Sequence, residues 1–347
     1  MRVLANFAAA IGNTPLIRLG WLSAATGCEI LGKAEFMNPG GSVKDRAALA
    51  ILNEAERSGA LSQGGTVVEG TAGNTGIALA HLCHSRGYRV IIVMPDNQSP
   101  EKYQAIEALG VELRKVKAVP YADHNHYQRV AGRLAAQTPG AIWANQFDNV
   151  ANRDGHYATT GPEILRDSGG RIDAFVAATG TGGTLGGTGR YLKEHVKDIR
   201  IVLADPQGSA LYNWVTCGEL RANGPGSITE GIGIGRVTAN LAGTPIDSAV
   251  SISDAEAVET VYGLLYHEGL FLGSASGVNV AAAARTAREL GPGHTIVTIL
   301  CDGGARYQSR LYSPAWLGEK GLFTAAEAGG RRATGANPPS LRHPGRS

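Results

Sequence analysis

Three stretches of this sequence hold residues that could do chemistry, and each is built as a glycine corner leading into a helix. The first is Asn38-Pro-Gly-Gly-Ser-Val-Lys-Asp-Arg46. Gly40 and Gly41 admit backbone angles closed to other residues, and Ser42 can accept an orphan amide, so a helix is expected from there to about Arg57. Lys44 then lies in its first turn. Helix dipole and partial burial both disfavour an ammonium there, so the pKa should fall, and such an amine forms Schiff bases. The alternative is a solvated first-turn lysine. The second stretch, Gly180-Thr-Gly-Gly-Thr184, follows a buried-type strand. Its glycines let backbone amides turn toward an anion, with hydroxyls from Thr181 and Thr184, which suits a phosphate. It lacks the Gly-Lys-Ser/Thr ending of a Walker loop, and a tight corner that needs glycine is the alternative. The third, Thr71-Ala-Gly-Asn-Thr-Gly76, offers its backbone amides with the Thr71 and Thr75 hydroxyls, which suits a carboxylate better, and the Asn74 amide can hold a hydroxyl or phenolate oxygen. Read alone it could be an N-capped helix and nothing more.

The elements that must position these corners alternate. Strands are expected at 16–19, 29–36, 66–70, 89–95, 111–116, 141–144, 172–178, 199–205 and 295–301. Helices are expected at 44–57, 77–86, 101–109, 123–137, 152–168, 185–195, 254–268 and 277–290, with a loop-rich region from 206 to 242. That rhythm implies mainly parallel sheets with helices on both faces. The 347 residues, 43% hydrophobic with 48 glycines, are enough for one or two α/β domains with a large core. A formal charge of +2 gives no reason to expect nucleic acid or an anionic membrane as partner. No run approaches a membrane span, and the start is too weakly polarised for a signal peptide. Cys28, Cys83, Cys217 and Cys301 show no paired spacing, so neither disulfides nor a metal site is expected, and the location expected is cytoplasmic.

Seven motifs then occur in a familiar order: Ile11-Gly-Asn-Thr-Pro-Leu, Gly41-Ser-Val-Lys-Asp-Arg46, Gly73-Asn-Thr-Gly-Ile-Ala78, Asn145-Gln-Phe-Asp-Asn149, Thr160-Gly-Pro-Glu-Ile164, Gly180-Thr-Gly-Gly-Thr184 and Glu230-Gly-Ile-Gly-Ile-Gly235. From about residue 8 to 320 the chain resembles the cysteine synthases (O-acetylserine sulfhydrylases) among the fold-type-II pyridoxal-phosphate enzymes. The resemblance implies two three-layer αβα domains of the tryptophan synthase β type. Residues 45–150 would form a smaller mobile domain, and 1–44 with 151–325 a larger one that binds the cofactor phosphate. It implies pyridoxal 5'-phosphate as cofactor, joined to Lys44, which later moves the substrate's α-proton. Asn74 would face the cofactor's 3' oxygen. Gly180, Thr181, Gly182, Gly183 and Thr184 would hold its phosphate. Thr71, Gly73, Asn74, Thr75 and Gln146 would hold the substrate carboxylate. The activity implied is a β-replacement, a transferase or lyase reaction making L-cysteine from O-acetyl-L-serine and sulfide through an aminoacrylate, in a homodimer. The alternatives are a cystathionine β-synthase-like or cysteine desulfhydrase activity on serine or cysteine, and a non-catalytic nucleotide binder.

The chain departs from the family's pattern at several points. Ala72 stands where a serine is usual. Ala275 stands where the hydroxyl facing the pyridine nitrogen belongs, and Ser276 is expected to replace it, with Ser274 and Asp302 as the other candidates. Arg236 replaces an aromatic, and an ion pair between domains is expected of it rather than recognition of an anionic substrate. His124 and His126 are expected to be solvated, and His156 to pack in the core or at the rim. A paired regulatory domain is not expected, and residues 329–347 have the composition of a disordered tail.

Overall fold

In the computed structural model, which describes residues 3–330, the amino-terminal stretch gives β1 (Leu16–Arg18), α1 (Gly20–Thr26), β2 (Glu29–Ala34) and α2 (Lys44–Arg57). Next come β3 (Thr66–Gly70), α3 (Asn74–Arg86), β4 (Arg89–Pro95), α4 (Pro100–Ala108), β5 (Glu112–Val116), α5 (Tyr127–Gln137) and β6 (Ala141–Trp143). After α6 (Ala151–Ala158) and α7 (Thr160–Asp167) follow β7 (Ala174–Ala178), α8 (Gly183–His195), β8 (Arg200–Pro206), α9 (Leu211–Cys217) and β9 (Ser248–Ile252). The chain closes with α10 (Asp254–Glu268), α11 (Ser274–Leu290), β10 (Thr295–Leu300), α12 (Pro314–Glu319) and α13 (Phe323–Gly330).

The strands sort into two sheets. A six-stranded sheet runs β1-β2-β10-β7-β8-β9, parallel except for the β1–β2 pair, and a four-stranded sheet runs β5-β4-β3-β6, parallel throughout. Side chains alternate across each sheet, so every strand feeds two cores. In the four-stranded sheet Val67, Ile92 and Met94 pack with α2 and α3, while Val68, Ile91 and Val93 pack with α5. In the larger sheet Val176, Val202 and Ile296 pack with α1, α10 and α11, while Phe175, Ile201 and Val297 pack with α7, α8 and α9. Each sheet is thus the middle of three layers, as its near-continuous apolar strands require. The amino-terminal segment crosses over: Phe7, Ala8 and Ile11 pack on the core of the four-stranded sheet.

The helix expected at 152–168 is two helices, because Thr159 leaves helical geometry at φ −126°. The loop-rich region contains α9, and beyond it β9 is an edge strand whose half-buried Ser-Ala-Val-Ser-Ile carries little apolar signal. Gly329 and Gly330, expected in a disordered tail, are buried and end α13; the remainder of that expectation lies outside the described residues. What matters for function is that the loops after β2, β3, β7 and β10 all leave the carboxyl ends of their strands and meet. Parallel α/β sheets place their sites there.

Candidate active site

These loops line a cavity of about 910 Å³ between the two sheets. Lys44 is in its wall, at the first residue of α2. The turn before it depends on Gly41, at φ +82°, and on the Gly40 amide, which donates to Asp45 Oδ2 at 2.6 Å. Ser42 does not cap deep into the helix; its oxygen accepts the Lys44 amide at 3.2 Å. Val43 donates its amide to the Cys301 carbonyl at 2.9 Å, which ties the lysine loop to the end of β10. The Lys44 side chain keeps some accessible surface because it lines the cavity, yet protein surrounds it. Burial therefore pushes its pKa down, against the opposing effects of Cys301 and Asp302 and with a smaller contribution from Lys102. Among the described residues no group hydrogen-bonds or ion-pairs with its Nζ. A buried amine without a partner is costly unless something else is meant to meet it.

The corner after β3 lies entirely in the same wall, Thr71 through Thr75. Gly73 sits at φ +136° with the Lys102 stem packed on it; an added Cβ would lie 2.7 Å from Lys102 Cδ. The amides of Ala72, Asn74, Thr75 and Gly76 find no acceptor among the described residues. Four free N–H groups at the start of a 13-residue helix are able to hold an anion. The side chains do less than expected. Thr75 Oγ1 donates to Gln146 Oε1 at 2.6 Å, while Gln146 Nε2 donates to Glu69 Oε1 at 2.8 Å and to the Gly70 carbonyl at 3.3 Å. Both amide hydrogens of Gln146 are engaged, so here it seats Thr75 rather than offering a donor of its own. Below it Glu69 is fully buried on β3, its Oε2 without a partner and its pKa pushed up to about 8 by burial. Glu69 went unremarked in the sequence, although a carboxylate inside Thr-Val-Val-Glu-Gly was signal enough.

The corner after β7 brings Gly180 and Thr181 to the wall, while buried Gly182 and Gly183, with Thr184, start α8 without lining the cavity. Glycine is required on steric grounds: a Cβ on Gly180 would lie 2.1 Å from the Gly231 carbonyl oxygen, and one on Gly183 2.2 Å from Asn152 Oδ1. The amides of Thr181, Gly182 and Thr184 find no acceptor among the described residues. The two hydroxyls are aimed by residues not marked for that role. Asn152 Nδ2 donates to Thr181 Oγ1 at 2.9 Å, and His156 Nε2 lies 3.2 Å from Thr184 Oγ1. His156 is buried, its pKa held well below the usual imidazole value by burial and by Arg46 and Lys44, so the ring is neutral.

The group proposed to replace the missing serine is not at the cavity. Ser276 is fully buried and its oxygen accepts the Cys301 amide at 2.9 Å; Ala275 and Asp302 are what line the wall there. Asp302 Oδ2 accepts from Asn74 Nδ2 at 2.7 Å and from the Tyr307 hydroxyl at 2.6 Å, and Oδ1 has no partner. Ser274 is buried with an unpartnered hydroxyl.

Arg236 is outside the wall. Its fork grips Asp148 at 2.9 and 2.8 Å and it stacks 4.6 Å over Tyr121. That is the structural ion pair expected of it. His126 is not solvated: it is buried between Tyr121 and Tyr127, and its ring accepts the Gln128 amide to start α5. A buried Lys102–Glu230 pair at 2.5 Å, with Arg310 on the other Glu230 oxygen at 2.7 Å, joins α4 to the glycine run 231–235 across the cavity. A third buried cluster beneath Lys44 holds Arg46 on Glu35 and Glu163 at 2.7–2.8 Å.

A phosphorylated aldehyde needs an amine free to condense and a cradle of unspent donors for its phosphate. The partnerless Nζ of Lys44 and the free amides at Thr181, Gly182 and Thr184 fit pyridoxal phosphate in both respects.

Comparison with known proteins agrees. The family model for pyridoxal-phosphate dependent enzymes matches residues 7–302. Cysteine synthase 1 of Neurospora crassa is 54% identical over 320 residues, spanning 91% of this chain and 85% of its own. The cysteine synthase of Dictyostelium discoideum is 47% identical over 318 residues, 89% of this chain and 84% of its own. Among solved structures, the O-acetylserine dependent cystathionine beta-synthase of Helicobacter pylori superposes with a TM-score of 0.82 at 33% identity, over 89% of this chain and 99% of that one.

Proposed function

The chain belongs to the pyridoxal-phosphate dependent enzymes, and we propose that it makes L-cysteine by β-replacement, taking O-acetyl-L-serine as amino-acid substrate and sulfide as nucleophile. The observation that carries this is one unpartnered, buried amine in a single cavity with two corners of unpaired backbone amides. When bound, the cofactor supplies an aldehyde that condenses with an amine and a ring that takes up the electron pair left on an α-carbon.

The rest falls to this chain. The free amides between Ala72 and Gly76, with the Thr71 hydroxyl, hold the substrate carboxylate. Gln146 and Glu69 keep Thr75 in register beneath it. Gly180 to Thr184 hold the phosphate, their hydroxyls set by Asn152 and His156. Lys44, its pKa lowered, takes the α-proton at Nζ and returns it; positioned proton transfer is worth about 100- to 10,000-fold. In the net exchange the Cβ–O bond breaks, acetate leaves with the electron pair, and hydrosulfide forms the Cβ–S bond. The Lys102–Glu230–Arg310 cluster closes one side of the cavity and keeps water from the reacting carbon.

The same proposal takes residues 45–150 and 1–44 with 151–325 as two units; the division of strands between sheets supports it, while Phe7, Ala8 and Ile11 pack with the smaller unit. It takes the enzyme as a cytoplasmic homodimer acting on small molecules, without nucleic acid or membrane. All four cysteines are unpaired, as suits a reducing compartment, and no described helix is long and apolar enough to cross a membrane.

The test is absorbance. The purified protein should show a visible band that borohydride bleaches, with Lys44 recovered as the modified residue in peptide mass analysis. A colourless protein, or label on another lysine, defeats the proposal. Product analysis with O-acetylserine, serine and cysteine in turn then fixes the reaction; cysteine from O-acetylserine and sulfide should dominate.

A further inference from the structure

Asn74 lies in the cavity wall with both ends of its amide already held by charged residues. Arg306 Nη1 donates to Asn74 Oδ1 at 2.6 Å, and Asn74 Nδ2 donates to Asp302 Oδ2 at 2.7 Å. An arginine has donors and no acceptor, so the amide atom facing it must be the oxygen. The orientation of Asn74 is therefore dictated by its neighbours, and one Nδ2 hydrogen remains for whatever enters the cavity.

The clamp is anchored on several segments. Arg306 Nη2 also donates to the Gly40 carbonyl in the lysine loop, and Ser99 Oγ donates to the Arg306 carbonyl at 2.9 Å. Glycine makes room on both sides: a Cβ on Gly41 would lie 2.9 Å from Arg306 Nη2, and one on Gly273 2.3 Å from Asp302 Oδ1. Tyr307 adds a second donor to Asp302 at 2.6 Å, which holds that carboxylate in place. The cation draws charge to Oδ1 and leaves the Nδ2 hydrogens more acidic, while the Asp302 carboxylate takes one of them and so fixes where the other points. Arg306 thereby strengthens the free Asn74 N–H as a donor toward a phenolate-type oxygen, and Asp302 aims it.

We propose that Arg306 and Asp302 are positioning residues that fix the Asn74 amide, Arg306 also polarising it, so that its remaining N–H is presented to the phenolic oxygen of bound pyridoxal phosphate. This rests on the placement of that cofactor beside Lys44. Arg306 does not line the cavity, and its contact with a side chain that does is the one to Asn74.

The readout is the ratio of the long- to the short-wavelength absorption band of the bound cofactor in the resting holoenzyme, which reports the ionisation of the phenolic oxygen. Asn74→Ala should lower that ratio. Arg306→Ala should lower it in the same direction by about three- to tenfold, the equivalent of one ordinary hydrogen bond. In the Asn74→Ala background, Arg306→Ala should add nothing. An unchanged ratio in Arg306→Ala, or the same further shift in both backgrounds, overturns the proposal. An Asn74→Ala holoenzyme with unaltered bands overturns it too, while borohydride labelling of Lys44 separately decides whether the cofactor is there. Should Arg306→Ala fail to accumulate folded, the pair Asp302→Asn and Asp302→Ala carries the test. The asparagine variant keeps an oxygen for the Asn74 amide and should hold the ratio, and the alanine variant should not; equal shifts in the two overturn the clamp.

Discussion

Glu69→Gln should make the fold less sensitive to alkali, and the size of the effect follows from where Glu69 sits. The carboxyl is buried on β3, accepts one hydrogen bond from Gln146, and has no cation against it; its other oxygen is unpartnered. Its pKa is pushed from 4.5 up to about 8 by burial, with the hydrogen bond from the Gln146 side chain opposing. The folded state therefore keeps the proton that the unfolded chain releases first. This contribution to stability is complete below 4.5, is lost as pH rises toward 8, and changes no further above that. At about 1.4 kcal/mol per pKa unit, the loss across the window is about 5 kcal/mol. Glutamine has the shape of the protonated acid and keeps the oxygen that accepts from Gln146, so the variant should lack this loss. The assay is the urea midpoint by far-ultraviolet circular dichroism at a series of pH values, wild type against Glu69→Gln. Asp45 and Asp205, raised to about 7 and about 6, lower stability over their own ranges in both proteins and cancel in the difference. The wild-type midpoint should fall relative to the variant from mildly acid pH to about 8 and then run parallel to it. Parallel curves throughout would mean that Glu69 is ionised in the folded protein, and the argument from burial would be wrong.

Lys44→Ala should abolish the borohydride-sensitive band and lower turnover by at least about 10,000-fold, read by cysteine formation at saturating O-acetylserine. Gly180→Ala places a Cβ 2.1 Å from the Gly231 carbonyl oxygen, so the variant should lose cofactor on dialysis where wild type retains it. Arg236→Ala removes a partly exposed ion pair outside the cavity; it should cost about 1 kcal/mol or less in urea unfolding and leave the ranking of substrates unchanged. Lys102→Met strips one of two cations from buried Glu230, which keeps Arg310, and should cost about 1–3 kcal/mol, read as the urea unfolding midpoint.

The βα rhythm was legible because parallel strands buried on both faces announce themselves: β3 through β5, β7, β8 and β10 lie within two residues of where apolar runs put them. β9, α9 and the two closing helices were not, since an edge strand of Ser-Ala-Val-Ser-Ile and short half-exposed helices owe their existence to neighbours rather than to pattern. The site divides along the same line. Lys44, the Thr71–Gly76 corner and the Gly180–Thr184 corner were visible because their chemistry is local: glycine geometry and a helix start lie within six residues of one another.

What escaped was everything set by contact across the chain. Gln146 spends its hydrogens on Glu69 and Gly70, more than seventy residues upstream, and Ser276 spends its oxygen on the Cys301 amide, so side chains of the expected type turned out to be committed elsewhere. Asn74, by contrast, is held at both ends of its amide by Arg306 and Asp302 from the far end of the chain. A motif states which atoms could meet a ligand. Which of them still have a hydrogen to give is decided by partners that sequence spacing does not reveal, and in this cavity that accounting leaves the proposed carboxylate site to the backbone amides and the Thr71 hydroxyl, without Thr75 or Gln146.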